Sequence, residues 1–263
     1  MSFQTKIITL SKAIRHVKNW PVVINRQMLA RGSGPAKLRF RNGLTASFRP
    51  ETADWEMVKE VMLDGAYAHA FDYLEAQQSS LPILDLGANL GFFSLRAAQC
   101  SPASAIYAYE PAPKNVAQMK LNLSLNPGLA RRIQVFAEAV GGSTRQADFF
   151  FDEEAPQASR LAPGAGGSGR LPVTVRAFAD ILNNITPAWA LVKIDVEGAE
   201  YEIFEQTPAE AWQGVRALAL EIHHPPTGWA GGRAGLLAHV QALGFVPARE
   251  SSGGDSYFFH RPN

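Results

Sequence analysis

Cysteine is almost missing from this sequence. Cys100 is the only one in 263 residues, which excludes an intramolecular disulfide and any metal centre built from several cysteines. This scarcity agrees with a reducing compartment. The composition therefore predicts a cytoplasmic protein.

Long hydrophobic runs are also absent. No stretch approaches the roughly 18 to 20 apolar residues needed to cross a bilayer, and residues 1–10 are too polar for the core of a secretory signal. The 46% hydrophobic content is ordinary for a globular protein. Together these features predict one sizeable soluble domain with no membrane span.

Acidic residues are missing from the first fifty positions, which contain ten Lys or Arg, whereas the remainder carries 15 basic and 24 acidic groups. One interpretation is a basic face that packs on the acidic remainder. The other is a surface for an anionic partner, such as a phosphorylated substrate, a carrier protein, nucleic acid or a lipid surface. The composition leaves both open, and the oligomeric state is not predicted.

Two small elements are predicted in this basic segment. Apolar residues at spacings of four and three indicate a short helix with one buried stripe; they are Phe3, Ile7, Leu10, Ile14 and Val17. Residues 37–40 and 44–48 flank Asn42-Gly43, whose positive φ angles suit a hairpin turn. We therefore divide the chain into an N-terminal appendage, 1–50, and a main domain, 51–263.

From residue 81 onward apolar strands, glycine turns and helices alternate, which is typical of a parallel sheet with crossover helices. Strands are predicted at 81–86, 104–109, 132–137, 190–195, 216–222, 245–249 and 255–260, and helices at 90–99, 114–125, 177–184, 198–206 and 232–243. The prediction is an α/β fold of the Rossmann-like class. Its seven-stranded, mostly parallel sheet has helices on both faces and ends in an antiparallel pair.

One segment interrupts this alternation. Residues 152–170 contain two Pro, four Gly and several Ser and Ala, a composition that favours a mobile loop. The loop follows the third predicted core strand, so it could serve as a substrate lid or have no role.

A glycine-bearing turn follows the first core strand. Asp85, Gly87, Asn89 and Gly91 occupy alternate positions between that strand and the next helix. Glycines let the backbone approach a ligand closely. The spacing is not the Gly-x-Gly-x-x-Gly that receives a pyrophosphate, and an acid here suits the ammonium of an amino-acid ligand. The turn therefore predicts S-adenosylmethionine rather than NAD.

Four further residues are candidate cofactor ligands: Glu110, Glu138, Tyr67 and Asp195. Glu110 ends the second core strand, 25 residues after Asp85, where a carboxylate can accept both ribose hydroxyls. Glu138 follows the third strand and could meet the adenine amine. Tyr67 lies in a helical segment predicted over residues 53–75.

Residues 191–200 read LVKIDVEGAE, a strand whose carboxyl end carries Asp195 and Glu197. Ligands of open α/β sheets bind beyond such strand ends, so both acids are expected to face the reaction site. With "DLGANLGFFS", "YEPAPKN" and "AEAVG", this run resembles the FkbM family of methyltransferases over residues 55–260. The resemblance implies a class I methyltransferase fold and O-methylation of a hydroxyl on a sugar or secondary metabolite such as a polyketide.

Glu221 and His223 end the fifth core strand on one side, because their spacing is two. A hydroxyl acceptor must lose its proton, so His223 is a candidate general base with Glu221 as its orienter. In a competing arrangement, Asp195, Glu221 and His223 hold a divalent cation such as Mg²⁺. That position resembles the metal site of catechol-type methyltransferases. A purely structural pair is the third interpretation.

Three other functions stay open. An NAD-dependent oxidoreductase would need the missing glycine spacing, and a binding module without catalysis would retain the same acids. A nucleic-acid methyltransferase acting on an amino group would carry an Asn-Pro-Pro-Tyr type motif, whereas this chain has Asp195-Val196-Glu197-Gly198. That sequence favours oxygen as the acceptor. A methyltransferase that acts on a carrier-bound or nucleic-acid substrate is kept as an alternative.

Overall fold

A seven-stranded sheet organises the chain. The structure is a computed structural model that describes residues 3–29, 31, 34–151, 169–226, 229, 231–250 and 255–262. In chain order the strands of this sheet are β3 (Ile83–Leu86), β4 (Ile106–Tyr109), β5 (Ile133–Phe136), β9 (Leu191–Ile194), β10 (Ala217–Glu221), β11 (Val246–Glu250) and β12 (Ser256–His260). Their order is β11-β12-β10-β9-β3-β4-β5, with β12 antiparallel to both neighbours and the other pairings parallel. The predicted fold is confirmed.

The core strands are apolar on both faces because helices cover both sides of the sheet. Ile83 of β3 packs in one hydrophobic cluster, and Leu84 and Leu86 pack in another on the opposite face. The helices from the first half of the chain are α1 (Phe3–His16), α2 (Pro21–Val23), α3 (Asp54–Val58), α4 (Ala68–Gln77), α5 (Phe92–Cys100), α6 (Pro113–Ser124) and α7 (Pro127–Ala130). Those from the second half are α8 (Phe178–Ile185), α9 (Glu200–Gln206) and α10 (Gly232–Ala242).

The predicted N-terminal helix and hairpin are present, as α1 and the strands β1 (Ala36–Arg39) and β2 (Thr45–Phe48). The predicted apolar stripe is wrong in part: Val17 is buried as predicted, but Ile7 and Ile14 are exposed, and Ala13, which was not in the stripe, is buried. At the hairpin turn Gly43 alone has a positive φ, 96°, whereas Asn42 does not. Buried residues of this segment share one hydrophobic cluster with the central sheet. Among the described residues, no helix combines the length and the apolar character needed to cross a membrane.

The helix predicted over residues 53–75 is broken. After α3 the chain forms a π-helical segment, Lys59–Asp64, and Gly65 then ends the turn with a φ of 76°. Helix α4 starts three residues later. A left-handed residue cannot continue an α-helix, which accounts for the difference.

A second, three-stranded sheet was not predicted. It is built from β6 (Ala139–Gly141), β7 (Arg145–Phe151) and β8 (Gly169–Ala177), in the order β6-β8-β7. The predicted loop 152–170 is wrong at its end, because Gly169 and Arg170 pair with β7; residues 152–168 lie outside the described residues. Among the described residues β6 pairs only with residues 175–177, so Pro172 lies outside the part of β8 that is paired on both sides, as expected for a proline in a strand.

Candidate functional site

The carboxyl ends of β3, β4, β9 and β10 open into one cavity of about 320 Å³. Parallel strands end at the same edge of a sheet, which brings residues distant in sequence together. The cavity is lined by Met57, Glu60, Gly87, Asn89, Tyr109, Glu110, Pro111, Asn115, Glu138, Ala139, Val140, Phe149, Asp195, Val196, Glu197, Glu221 and His223. Seven of the predicted site residues are among them: Gly87, Asn89, Glu110, Glu138, Asp195, Glu221 and His223.

The glycine turn forms one wall, and its two glycines have different surroundings. Gly87 lines the cavity with a φ of 72°, and a side chain there would overlap the carbonyl oxygen of Asp195. Gly91 does not line the cavity; a Cβ at Gly91 would lie 2.7 Å from Cγ of Met119 in α6. Close packing within the protein therefore demands glycine at both positions. Gly91 was expected to let a ligand approach, but it packs against Met119 instead.

Asp85 was also expected to contact a ligand, but it is buried and does not line the cavity. It has no exposed surface and accepts a hydrogen bond from Ser94 Oγ at 2.5 Å. Its other oxygen, Oδ1, faces the ammonium of Lys193 at 3.5 Å. Burial raises the pKa of Asp85, while Lys193 and Ser94 oppose that shift. Asp85 thus lies beneath the turn rather than in the cavity wall.

Lys193 joins this buried acid to the cavity. Its Nζ donates to the carbonyl oxygen of Gly87 at 2.8 Å and lies 3.0 Å from Oδ2 of Asp195. Burial alone would lower the pKa of Lys193, but the carboxylates of Asp195 and Asp85 outweigh it and raise the pKa. The lysine therefore stays charged and fastens the glycine turn to the end of β9.

Glu110 presents a buried carboxylate to the cavity from the end of β4. Oε2 accepts the backbone N–H of Asn89 and Oε1 that of Ala112, each at 2.9 Å. Burial raises the pKa of Glu110, and these two N–H groups oppose the rise. Glu138 lines the cavity too, but its carboxylate forms a two-point ion pair with Arg176 at 2.9 and 3.0 Å.

Tyr67 lies behind the acids of the cavity. Its hydroxyl donates to Oε2 of Glu221 at 3.1 Å, and Oδ2 of Asp195 is 3.3 Å away. Burial, then the charges of Asp195 and Glu221, raise the pKa of Tyr67 well above its usual value. It stays protonated and supports the two carboxylates that were predicted to face the acceptor.

His223 lies among four carboxyl groups. Its Nε2 is 3.3 Å from Glu197 and 3.8 Å from both Asp195 and Glu221. Its Nδ1 is 3.3 Å from Oε1 of Glu200, an ion-pair distance outside hydrogen-bond geometry. The predicted pair of His223 and Glu221 is brought together, but the carboxylate beside Nδ1 belongs to Glu200.

A possible cation-binding group also differs in one member from the predicted one. Ligand atoms of Asp195, Glu197 and His223 all lie within 4.8 Å of one another. Glu197, in a left-handed conformation with a φ of 52°, takes the place predicted for Glu221. The set of oxygens and one imidazole nitrogen suits a divalent cation.

Crowding of like charges changes the proton affinity of this cluster. Burial, then the charge of Asp195, raises the pKa of Glu221 to about 8; burial is also the main cause that raises the pKa of Glu197 to about 8. Burial likewise raises the pKa of Glu60. Burial would lower the pKa of His223, but Glu200 and Glu197 outweigh it and raise the pKa to about 9. The free site therefore holds extra protons at neutral pH.

Those protons make stability depend on pH. In the unfolded chain the pKa is 4.5 for Glu and 6.5 for His, whereas in the folded protein it is about 8 for Glu197 and Glu221 and about 9 for His223. The folded state thus binds more protons in between, and its free energy of unfolding falls as pH rises from 6.5 to 9. Urea unfolding of the ligand-free protein across this range measures the slope. We expect the triple variant Glu197→Gln/Glu221→Gln/His223→Gln to show a smaller slope. A wild-type free energy of unfolding that stays constant or rises over this pH range contradicts the assignment.

Four residues of the site were absent from the predicted ligands: Glu60, Lys193, Glu197 and Glu200. Glu197 and Glu200 belong to the motif that carried the family resemblance, but only Glu197 was expected to face the site. Lys193 had a readable signal, since a lysine inside a buried strand requires an acidic partner. Glu60 had none, because the π-helical segment that places it follows no simple periodicity.

Comparisons with known proteins agree on one family. The model of the Methyltransferase FkbM domain matches residues 85–247. Methyltransferase sdnD of Sordaria araneosa is 26% identical over 215 residues, covering 70% of this chain and 78% of that protein. The 31-O-demethyl-FK506 methyltransferase FkbM of Streptomyces tacrolimicus is 25% identical over 214 residues, covering 71% and 81%.

A solved structure gives a more distant match. Methyltransferase FkbM from Methylobacillus flagellatus KT is 17% identical with a TM-score of 0.48, and the match covers 68% of this chain and 43% of that one. The present chain thus spans less than half of that solved chain. The family model, by contrast, covers more than half of the present sequence, glycine turn and β9 motif included. The chain therefore belongs to the FkbM family of methyltransferases.

Proposed function

We propose that this methyltransferase transfers the methyl group of S-adenosylmethionine to a hydroxyl of a small molecule, such as a sugar or a polyketide-type secondary metabolite. One observation carries the proposal. The buried carboxylate of Glu110 and the cluster around His223 line the same cavity. Glu110, which can accept the ribose hydroxyls of the cofactor, and His223, which can take a proton from the acceptor, thus lie in one cavity that both ligands would share.

The cavity suits the proposed cofactor by charge. Glu110 keeps lone pairs beyond those that accept Asn89 and Ala112, and these can take ribose hydroxyls. Glu138 and the turn of Gly87 and Asn89 are the proposed neighbours of the adenine and the amino-acid part. The acids around Asp195 favour positive charge. When bound, S-adenosylmethionine supplies an electrophilic methyl group on a sulfonium.

The chain's own residues then handle the acceptor's proton. A positive charge brought into the cavity lowers the pKa of His223, because like charges disfavour the protonated ring. The neutral Nε2 can take the hydroxyl proton, while Asp195 and Glu221 keep the imidazolium paired. Orienting the acceptor and excluding water is the remaining work of the cavity walls.

Oxygen is the proposed acceptor for two reasons. Asp195 and Glu197 stand after β9 in place of an amide-bearing motif, and a cluster of carboxylates and histidine suits removal of a hydroxyl proton. The relative from Streptomyces tacrolimicus is named for a 31-O-demethyl compound. By analogy we propose a secondary metabolite here as well.

A divalent cation offers a second way to activate the hydroxyl. Asp195, Glu197 and His223 would hold Mg²⁺, which lowers the pKa of a coordinated hydroxyl. Lys193 competes for Asp195, since its ammonium lies 3.0 Å from Oδ2. The dependence of turnover on Mg²⁺ therefore distinguishes this route from a general base.

The basic first fifty residues keep both of their interpretations. Lys12 pairs with Asp64 at 2.8 Å, as expected for a basic face packed on acidic residues, whereas Arg15 is exposed. An anionic partner at this appendage, a cytoplasmic location and the division of the chain at residue 50 all stay predictions.

Binding and product formation test the proposal. Calorimetry should detect S-adenosylmethionine and S-adenosylhomocysteine but not NADH. With hydroxylated macrolides and glycosides as acceptors, mass spectrometry should detect S-adenosylhomocysteine and an O-methylated product. Loss of turnover in EDTA that Mg²⁺ restores would favour the cation. Binding of NADH alone would sink the proposal, and cofactor binding without turnover on any acceptor would favour a binding module.

A further inference from the structure

Glu200 is a fully buried acid at the start of α9. Its carboxylate does not line the cavity, yet it contacts two elements that do. Oε2 accepts the backbone N–H of Gly198 at 2.8 Å, and Oε1 accepts the backbone N–H of His223 at 2.7 Å. One side chain thereby ties the turn after β9 to the end of β10.

The turn after β9 needs such a restraint. Glu197 and Gly198 both have left-handed φ angles, 52° and 102°, and for a glutamate this conformation costs about 1 kcal/mol or more. The hydrogen bond from Gly198 holds the turn in this shape. As a result the carboxylate of Glu197 lies 3.3 Å from Nε2 of His223.

The same carboxylate faces the other side of the imidazole. Oε1 of Glu200 is 3.3 Å from Nδ1 of His223, and Nδ1 is buried. An anion at that position favours a proton on Nδ1, because the proton then carries positive charge toward it. The Nε2 atom is left facing Asp195, Glu197 and Glu221.

We propose that Glu200 is the positioning residue of the reaction site, which shapes the turn that carries Glu197 and keeps Nε2 of His223 toward the cavity. The inference rests on the proposed function, in which His223 takes the acceptor's proton. Glu200 itself touches neither acceptor nor cofactor. Its removal should change the hydrogen bonding of the Gly198 and His223 amides before any ligand is added.

The test combines an NMR spectrum with kinetics. In ¹⁵N-labelled, ligand-free protein we expect the backbone amide proton signals of Gly198 and His223 to move upfield in Glu200→Gln, because a neutral amide oxygen is a weaker acceptor than a carboxylate. With an acceptor in hand, kcat should fall about tenfold or more, because the proton acceptor is misplaced, while KM for S-adenosylmethionine changes little.

Glu202→Gln is the matched control. Glu202 lies in the same helix but pairs with Arg145 on the small sheet, so the two amide signals and kcat should match wild type. Unchanged amide signals, or an unchanged kcat, in a folded Glu200→Gln protein overturn the proposal. Should that variant not fold, Glu200→Asp, whose shorter side chain cannot reach both Gly198 and His223, should move at least one of the two amide signals, and no change would overturn it equally. A wild type that binds no S-adenosylmethionine sinks the proposed function while leaving the amide signals interpretable.

Discussion

Glu110→Gln is expected to weaken S-adenosylmethionine binding about a hundredfold, which corresponds to about 3 kcal/mol. Glutamine keeps the size of the side chain but loses the charge and one acceptor. Two charge-assisted hydrogen bonds to a ribose, at ~1.5 kcal/mol or more each, account for that loss. Calorimetric titration of the variant and the wild type measures it directly.

Glu75→Gln is the control for this experiment, because Glu75 is exposed on α4 and does not line the cavity. Its affinity should equal that of wild type. Glutamine at 110 also deprives either Asn89 or Ala112 of a full acceptor, so thermal unfolding should accompany the titration. Unchanged affinity in a folded Glu110→Gln protein would remove the central assignment of the cofactor site.

Lys193→Met is expected to lower the free energy of unfolding by about 3 to 5 kcal/mol. Methionine fills the same space but leaves the fully buried Asp85 facing no cation and the carbonyl of Gly87 without its donor. Breaking a buried ion pair in this way costs more than the pair itself contributes. Urea unfolding gives the magnitude.

The double variant Lys193→Met/Asp85→Asn separates charge from packing. It should recover part of the lost stability, because the neutral amide removes the uncompensated buried charge. Lys120→Met, on the exposed side of α6, should change stability by less than ~0.5 kcal/mol. No recovery in the double variant would mean that Lys193 acts through packing rather than through its ammonium.

The central sheet was predictable because its strands carry a strong local signal. Leu84 and Leu86 alternate with Ile83 between two hydrophobic clusters, so the run is apolar except for Asp85 and ends in a glycine turn. The small sheet lacks that signal. Its strand β8 starts inside a Gly- and Pro-containing stretch, and only residues 173, 175 and 177 are buried.

The sequence predicted which site residues lie at the ends of core strands, but it did not predict which way their side chains point. Glu110, Asp195 and Glu221 all follow or end core strands, and the parallel topology brings them to one cavity. Asp85 was misplaced because sequence position alone does not show that Lys193 stands opposite it in the register of β3 and β9. Glu200 resembles a surface acid of a helix, and only the packing of α9 against the end of β10 buries it.

The pairing of Phe151 with Gly169 has a consequence for how freely the segment between them can change in length. The two ends of the segment between them are fixed side by side, so lengthening that insertion adds only a slowly growing closure entropy. Phe149, three residues before the insertion, lines the cavity. Natural drift or a protein engineer can therefore change the length of the insertion at little cost in free energy, while the strands on either side of it keep their pairing.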